Sequence, residues 1–559
     1  MKNFYAQKPW LDHYDPFVSR SLQYPDANIP ALFERTVHEF AERVCLSFHG
    51  QEITYRELSE YSDNLARWLL FFGVGRGERV GVIFPNSPQF VITFFAVQKI
   101  GAVVVAMNPH YKKAEFSRII EECDIHCVLC MEDHLEILNE ILGTTPIEVM
   151  ISSTNADFKG LNKQIERGVT EGRDVQKIAF PVPFLRCIRQ KIQSITVDSS
   201  FAADLPAIYQ YSGGTTGIPK AAIGLHRNLV ANTIQFMSWC DLQVAEEVFL
   251  AAIPFYHVYG MVLGMLLGIR VAARIVLIED ARDMDALLSS IMEQRVTFFP
   301  GVPSMYATII RNAAVRAGKY ALHSVKACIS GSAPLHPQIK EEFEKLTGGK
   351  LVEGYGLSEA PTATHCNPVF GDNKPGSFGL PLPDVECKII DTEDDTRIME
   401  VGEAGELLIK GPQVMAGYFK NAQETTATLR RGWLHTGDIV RMDTDGFFYF
   451  IDRKKDVIKV GGFQVWPKEI EEVLLTMRGV RGAAVAGVRS KMGEEKVISW
   501  LVLEEDQHIS KAAIRSHCRQ FLTAYKIPQE IYFIDEIPRS GVGKVLRREL
   551  VRAYNEKRL

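Results

Sequence analysis

The sequence predicts an α/β fold: a large N-terminal region built on parallel sheets, a small β-rich unit, and a separate small α+β unit at the C-terminus. Three observations carry this. Short apolar runs alternate with amphipathic stretches through 79–131 and again through 207–353, the pattern of parallel sheets with helices on both faces. From about Gly376 the pattern changes to short strands and turns, and over about the last hundred residues a smaller alternation resumes. With 559 residues, the chain has room for three to four units at roughly 150 residues each.

The elements follow in order. A helix is expected over 29–42, then a hairpin over 44–54 turning at Gly50-Gln51. Thr54 reads as an N-cap with Glu57 three residues on, opening a helix to about Phe72. Strands at 79–84, 102–106 and 127–131 then alternate with helices at 87–100 and 113–123. The rhythm stops over 152–200, where Phe184, Ile188 and Ile192 recur at helical spacing beside Arg186, Arg189 and Lys191. That pattern fits peripheral contact with an anionic membrane surface, or a helix covering a domain, the commoner case. A strand at 207–211 leads to a glycine-rich loop, with a helix at 227–240 after it. Strands at 248–252, 327–330 and 351–353 run into Pro254-Phe-Tyr-His-Val-Tyr-Gly260, Gly331-Ser-Ala-Pro334 and the turn Gly354-Tyr-Gly-Leu-Ser-Glu359. Ligands of parallel sheets bind outside the carboxyl ends of strands, so these turns are expected to line one cleft.

Composition excludes several classes. Lys and Arg total 63 against 68 Asp and Glu, a net charge of −5 that gives no reason to expect nucleic acid. Ten scattered cysteines and a polar, acidic first stretch fit a cytoplasmic protein, with the inner face of the membrane as the peripheral alternative. Cys123, Cys127 and Cys130 lack a second ligand pair at zinc spacing. The apolar stretch 258–278 is cut by Arg270 and Arg274, too early for a membrane span.

The chemistry centres on Tyr209-Gln-Tyr-Ser-Gly-Gly-Thr-Thr-Gly-Ile-Pro-Lys220. Gly213, Gly214 and Gly217 permit close backbone approach to an anion, Ser212, Thr215 and Thr216 add hydroxyl donors, and Lys220 adds charge. A Walker A loop needs Lys directly after Gly and a hydroxyl after Lys; here Ile218 and Pro219 intervene and Ala221 follows. With His257, Glu359, Asp438, Arg453 and Lys544, this loop makes a set suited to phosphoryl or nucleotidyl transfer. No Gly-x-Ser-x-Gly elbow points to a hydrolase.

The order and spacing of these motifs resemble the adenylate-forming superfamily along essentially the whole chain, nearest to bacterial long- and medium-chain fatty acid CoA ligases. The resemblance rests on 211–220, 254–260, 331–335, 354–359, Gly411-Pro-Gln-Val-Met-Ala-Gly-Tyr418, 435–438, Asp452-Arg-Lys-Lys-Asp456 and 538–544. It implies a large domain over 1–452, made of α/β subdomains 1–200 and 201–370 and a β-barrel-like subdomain 371–452. A hinge over 453–456 and a mobile C-terminal domain over 457–559 complete the implied layout. It implies ATP, Mg2+ and coenzyme A as cofactor and co-substrates, a fatty acid substrate, and a monomer or homodimer.

Residue roles carried by the resemblance are these. Gly331, Ser332 and Ala333 form the adenine-side turn, Tyr355 stacks on adenine beside Gly356 and Ser358, and Glu359 with Thr216 serves magnesium. Asp438 and Arg453 hold ribose, Lys455 is the pivot, Lys459 and Gln464 contact the nucleotide or thioester-forming state, and Lys544 is the mobile catalytic lysine. Tyr256, His257 and Met261 border the acyl site, with His257 also a catalytic residue beside Lys544 and Met261 where some relatives carry a tryptophan gate. Gln464 stands where aryl-CoA ligases carry Gln and many fatty-acyl relatives Asn, so an aryl acid is one alternative. Transfer to a carrier protein is another.

Overall fold

Two parallel sheets form the body of the large region in this computed structural model, which describes residues 4–158, 181–212, 219–460, 463–489, 495–505, 507–539 and 545–556. The first runs Val182–Pro183, Val149–Ser153, Cys127–Met131, Arg79–Ile83, Val103–Ala106, Pro206–Ser212, Lys220–Leu225, parallel except for its last pair. The second has nine strands, with Lys350–Leu357, Ala327–Ser330, Phe298–Gly301, Val248–Ala251, Arg274–Leu277 and Val44–Phe48 parallel at its centre. Antiparallel edges close it, Ala360–Cys366 with Leu380–Pro381 on one side and Gln51–Thr54 on the other.

The strands therefore do not divide at residue 200. The second sheet takes its edge hairpin from 44–54, and the first takes its last two strands from 206–225. Periodicity identifies a strand but not its partner, which long-range pairing decides. Helix Pro88–Lys99 is buried along its whole length, and Phe95 stacks on Phe33 of helix Ile29–Phe40 at 4.1 Å. A helix that is apolar all round belongs in the interior.

Local signals explain most boundaries. Thr54 accepts from Glu57 N–H while the Glu57 carboxylate accepts from Thr54 N–H at 2.7 Å, a capping box that starts helix Tyr55–Phe71. The 44–54 hairpin turns at His49-Gly50, one residue earlier than expected, with both residues at positive φ (46° and 77°). That is the twist a two-residue hairpin favours. The stretch around Phe184 is a six-residue helix, Phe184–Arg189, with Phe184, Leu185, Cys187 and Ile188 buried. Asn64 and Trp68 of helix 55–71 donate to Ile188 O and Gln190 O, so the apolar face is turned inward and is not offered to a membrane.

Cys127 and Cys130 lie on opposite faces of strand Cys127–Met131, each in a different core cluster, and all ten cysteines are buried thiols. Among the described residues no group of metal-binding side chains gathers in the manner of a zinc site, and no helix is long and apolar enough to cross a membrane.

Residues 386–453 form a five-stranded sheet in which Gly405–Lys410 and Trp433–Met442 are central. Beyond it, the sheet Val480–Arg489, Glu495–Leu503, Glu530–Phe533 is covered on both faces. Val485, Val497 and Leu501 pack with helices Pro467–Leu475 and Lys511–Phe521, while Ala484, Ala486, Ile498 and Trp500 pack with Leu550 of helix Arg547–Asn555. Alternate residues serve opposite faces, as strand geometry requires.

Candidate active site

The cleft lies at the carboxyl ends of the second sheet's strands. The segment 254–260 leaves strand Val248–Ala251 and is pinned there by two residues that sequence reading did not single out. Asn86, just past strand Arg79–Ile83, donates to Ala251 O and Ile253 O at 2.9 Å and accepts from Phe255 N–H at 2.8 Å. Tyr259 donates to Gly301 O at 2.9 Å and Ile329 O at 2.7 Å, tying the segment to the ends of two neighbouring strands. Gly260 permits the turn: a Cβ there would lie 2.4 Å from Pro254 O and 2.5 Å from Ile253 O. His257 and Tyr256 are half-buried with ring centroids 4.7 Å apart, and Met261 is fully buried. Gly331 packs under the Tyr259 ring, and Ser332 takes φ 70°, a left-handed conformation rare outside glycine. Ala333 follows it, half-buried.

The Gly354-Tyr-Gly stretch is not a turn. It is the end of strand Lys350–Leu357, and the reversal falls at Ser358-Glu359, from which strand Ala360–Cys366 returns. A Cβ at Gly356 would fall on Thr362 O of the returning strand. The strand geometry aims Tyr355 across the cleft: its ring stacks on Phe378 at 4.5 Å and its hydroxyl donates to Asp438 Oδ2 at 2.5 Å. Burial, with Asp438 nearby, pushes the Tyr355 phenol well up, so it remains a donor. Asp438, 1% exposed, lies in strand Trp433–Met442 opposite Arg453 of strand Phe448–Arg453, with Arg453 Nε 2.6 Å from Oδ1. Asp438 raises the Arg453 pKa further.

On the phosphate side, Ser212 and Lys220 are cross-strand partners, so the glycine-rich loop joins two antiparallel strands instead of a strand and a helix. Gly213, Gly214, Thr215, Thr216 and Gly217 lie outside the described residues, as does the Ser212 side chain. The Lys220 ammonium is ion-paired with Glu424 and sits 5.5 Å from the ring of Tyr418. The Tyr418 hydroxyl donates to Glu359 Oε1 at 2.8 Å; burial and then Glu359 push that phenol up, keeping it protonated. Tyr418 ends a motif quoted from the sequence, but only the fold brings it to Lys220 and Glu359.

The junction is held on both sides of Lys455. Asp452 accepts from Arg453 N–H and from Lys468 N–H at the start of helix Pro467–Leu475, both at 2.8 Å, and burial raises its carboxyl to about 6. Lys454 Nζ is 2.7 Å from Glu406 Oε2; burial alone would raise Glu406, but His435 and Lys454 outweigh it and draw it down to about 2. Asp456 pairs with Arg547 at 3.2 Å, and Lys455 itself is exposed in the turn between. Lys459 and Gln464 are cross-strand partners in a two-stranded ribbon, with Lys459 Nζ 3.5 Å from Glu393 on the larger region. The Gln464 side chain and Lys544 lie outside the described residues.

A cleft of this build, outside the carboxyl ends of parallel strands, is where α/β enzymes bind their ligands. The chain belongs to the AMP-binding enzyme family: residues 33–419 match that family, and residues 469–544 match the AMP-binding enzyme C-terminal domain. It is 34% identical over 557 residues to the long-chain-fatty-acid–CoA ligase of Bacillus subtilis strain 168, covering 99% of both chains. With the 4-coumarate-CoA ligase 1 of Narcissus pseudonarcissus it shares 30% identity over 527 residues, 92% of each. Among solved structures it resembles ATP-bound MatB from Rhodopseudomonas palustris, with TM-score 0.81, 25% identity, and 95% and 100% coverage. The anthranilate CoA ligase AuaEII in complex with anthranoyl-AMP also matches with TM-score 0.81 at 25% identity, over 96% of this chain and 99% of the other.

Proposed function

We propose that this chain is an ATP-dependent fatty acid CoA ligase. A carboxylate oxygen attacks the α-phosphorus of ATP, the bond to the bridging oxygen breaks, and pyrophosphate leaves with the electron pair. The sulfur of coenzyme A, having lost its proton, then attacks the acyl carbon of the adenylate and AMP departs. The observation that carries the nucleotide half is the Tyr355–Asp438–Arg453 cluster. It presents an aromatic face beside a buried carboxylate that can accept from both ribose hydroxyls. The fatty acid half rests on full-length likeness to ligases of long-chain fatty acids.

Lys220 and the loop before it would hold the β- and γ-phosphates, and Lys544 would meet the charge developing at the α-phosphate. Among the described residues only Tyr418 donates to the Glu359 carboxylate, a hard oxygen ligand of the kind magnesium takes alongside substrate phosphates. Glu359, with Thr216, would hold the ion, which supplies charge neutralisation to the leaving pyrophosphate. Tyr256, His257 and Met261 would border the acyl group.

Two domains, 1–452 and 457–559, would turn about 453–456. The anchored neighbours of Lys455, with Lys455 exposed between them, support it as the pivot. The test is pyrophosphate release with a panel of fatty and aryl acids, with and without coenzyme A. Release and thioester formation with long- or medium-chain acids is the expected result. No release with any acid sinks the reading; release without thioester points to a carrier-protein acceptor, and preference for aryl acids to the coumarate type.

A further inference from the structure

Lys220 already has a carboxylate partner. Its side chain is 11% exposed and its ammonium is held by Glu424, itself 33% exposed, from helix Ala422–Thr428. The backbone that carries Glu424 is held in place. Its N–H donates to Asn421 Oδ1 at 3.1 Å, and the next residue, Thr425, accepts from Tyr418 N–H at 2.8 Å. The left-handed Gly417 (φ 148°) lies so close that a Cβ there would be 2.7 Å from Thr425 Cγ2. Glu424 and Tyr418 thus belong to one packed unit, which presents a carboxylate and an aromatic face to Lys220 and a phenol to Glu359.

A lysine this enclosed needs a counter-charge, and a phosphoanion approaching it meets a carboxylate already in place. We propose that Glu424 is an internal counter-anion of Lys220 that competes with the phosphoanion for the ammonium, weakening the hold on ATP and on the pyrophosphate that must leave. Glu424 neutralises Lys220 once pyrophosphate departs, so release does not strand a half-buried charge. The proposal rests on the ATP-dependent reading above, and its ligand class is a polyphosphate with magnesium.

The test is titration calorimetry of full-length protein with pyrophosphate and magnesium, alongside KM for ATP, for wild type, Glu424→Gln and Glu424→Asp. Glu424→Gln keeps the shape and removes the charge; it should bind pyrophosphate about threefold to tenfold tighter and lower KM for ATP by a similar factor. Glu424→Asp should restore values near wild type. Unchanged or weaker pyrophosphate binding by a Glu424→Gln protein that melts like wild type overturns the proposal. Wild type that releases no pyrophosphate with any acid overturns the ligase reading instead, a separate result.

Discussion

Asp438 and Arg453 face each other across an antiparallel strand pair, with Arg453 Nε 2.6 Å from Asp438 Oδ1, although one residue belongs to a β-strand motif and the other to the domain junction. The carboxylate also accepts from Tyr355. Arginine, tyrosine and aspartate therefore form one charged, hydrogen-bonded unit at the point where the chain passes toward its C-terminal part, so the proposed nucleotide site and the junction would share a side chain.

Replacing Asp438 with Asn should cost activity through the nucleotide. Hydrogen bonds to a charged group are worth about 1.5–3 kcal/mol each, so losing that charge should lower kcat/KM for ATP roughly 10- to 100-fold. The KM for the acid should move far less. Initial rates of pyrophosphate release with ATP and acid varied separately check this, and an equal effect on both substrates would place Asp438 in general folding instead.

Gly260→Ala should disturb the 254–260 segment. The added methyl meets backbone oxygens at 2.4 and 2.5 Å, which cannot swing aside as a side chain would. Overpacking costs about 1–3 kcal/mol, and a backbone-limited clash belongs at the upper end. A lower melting temperature with impaired acid activation is expected. Gly264→Ala is the control, since its Cβ would meet side chains and no backbone oxygen, the Phe255 ring at 3.3 Å and Ala251 Cβ at 4.0 Å.

What the sequence disclosed and what it hid divide along physical lines. Helix Lys113–Cys123 and strand Cys127–Met131 were legible because each carries its own periodicity. Strands Lys220–Leu225 and Ala360–Cys366 were not, because Ala221, Ala222, Gly224, Ala360 and Pro361 weaken any strand pattern and only sheet pairing holds them extended. The same blind spot turned the loop before Lys220 into a strand-to-helix connection. Asp438 and Glu359 stood out by motif spacing. Asn86 and Glu424 did not, since the first meets its partner 169 residues away and the second 204, separations that no local pattern reports.

Glu353 should give stability a pH dependence of predictable sign. It is 8% exposed, accepts from Leu335 N–H at 3.0 Å, and burial raises its carboxyl from 4.5 to about 7. The folded state then binds a proton more tightly than the unfolded state. Its stabilising contribution is complete below about pH 4.5 and is lost as pH rises through about 7, by roughly 3 kcal/mol in all. Glu353→Gln should flatten that part of the curve, seen as a smaller fall in denaturation midpoint between pH 5 and pH 8. A fall as steep as that of wild type would show that Glu353 is ionised throughout.

Lys544 should serve only the first half-reaction. The ends of its segment are tied together, since Arg539 and Val545 form a bridge and Leu546 N–H donates to Pro538 O at 2.8 Å. Three residues beyond Lys544, Arg547 is held by Glu471 at 2.8 Å and by Asp456 at the junction. The described residues on either side of Lys544 thus belong to the C-terminal unit, so on the proposed reading Lys544 would travel with that unit about Lys455. Removing a donor aimed at developing phosphate charge costs about 10²–10³ in rate. Lys544→Ala should lose adenylation by that factor, measured as acid-dependent pyrophosphate release, while forming thioester from supplied acyl-adenylate and coenzyme A at near wild-type rate. Equal loss in both assays would mean that one arrangement of the two units performs both steps, and rotation about Lys455 would be abandoned.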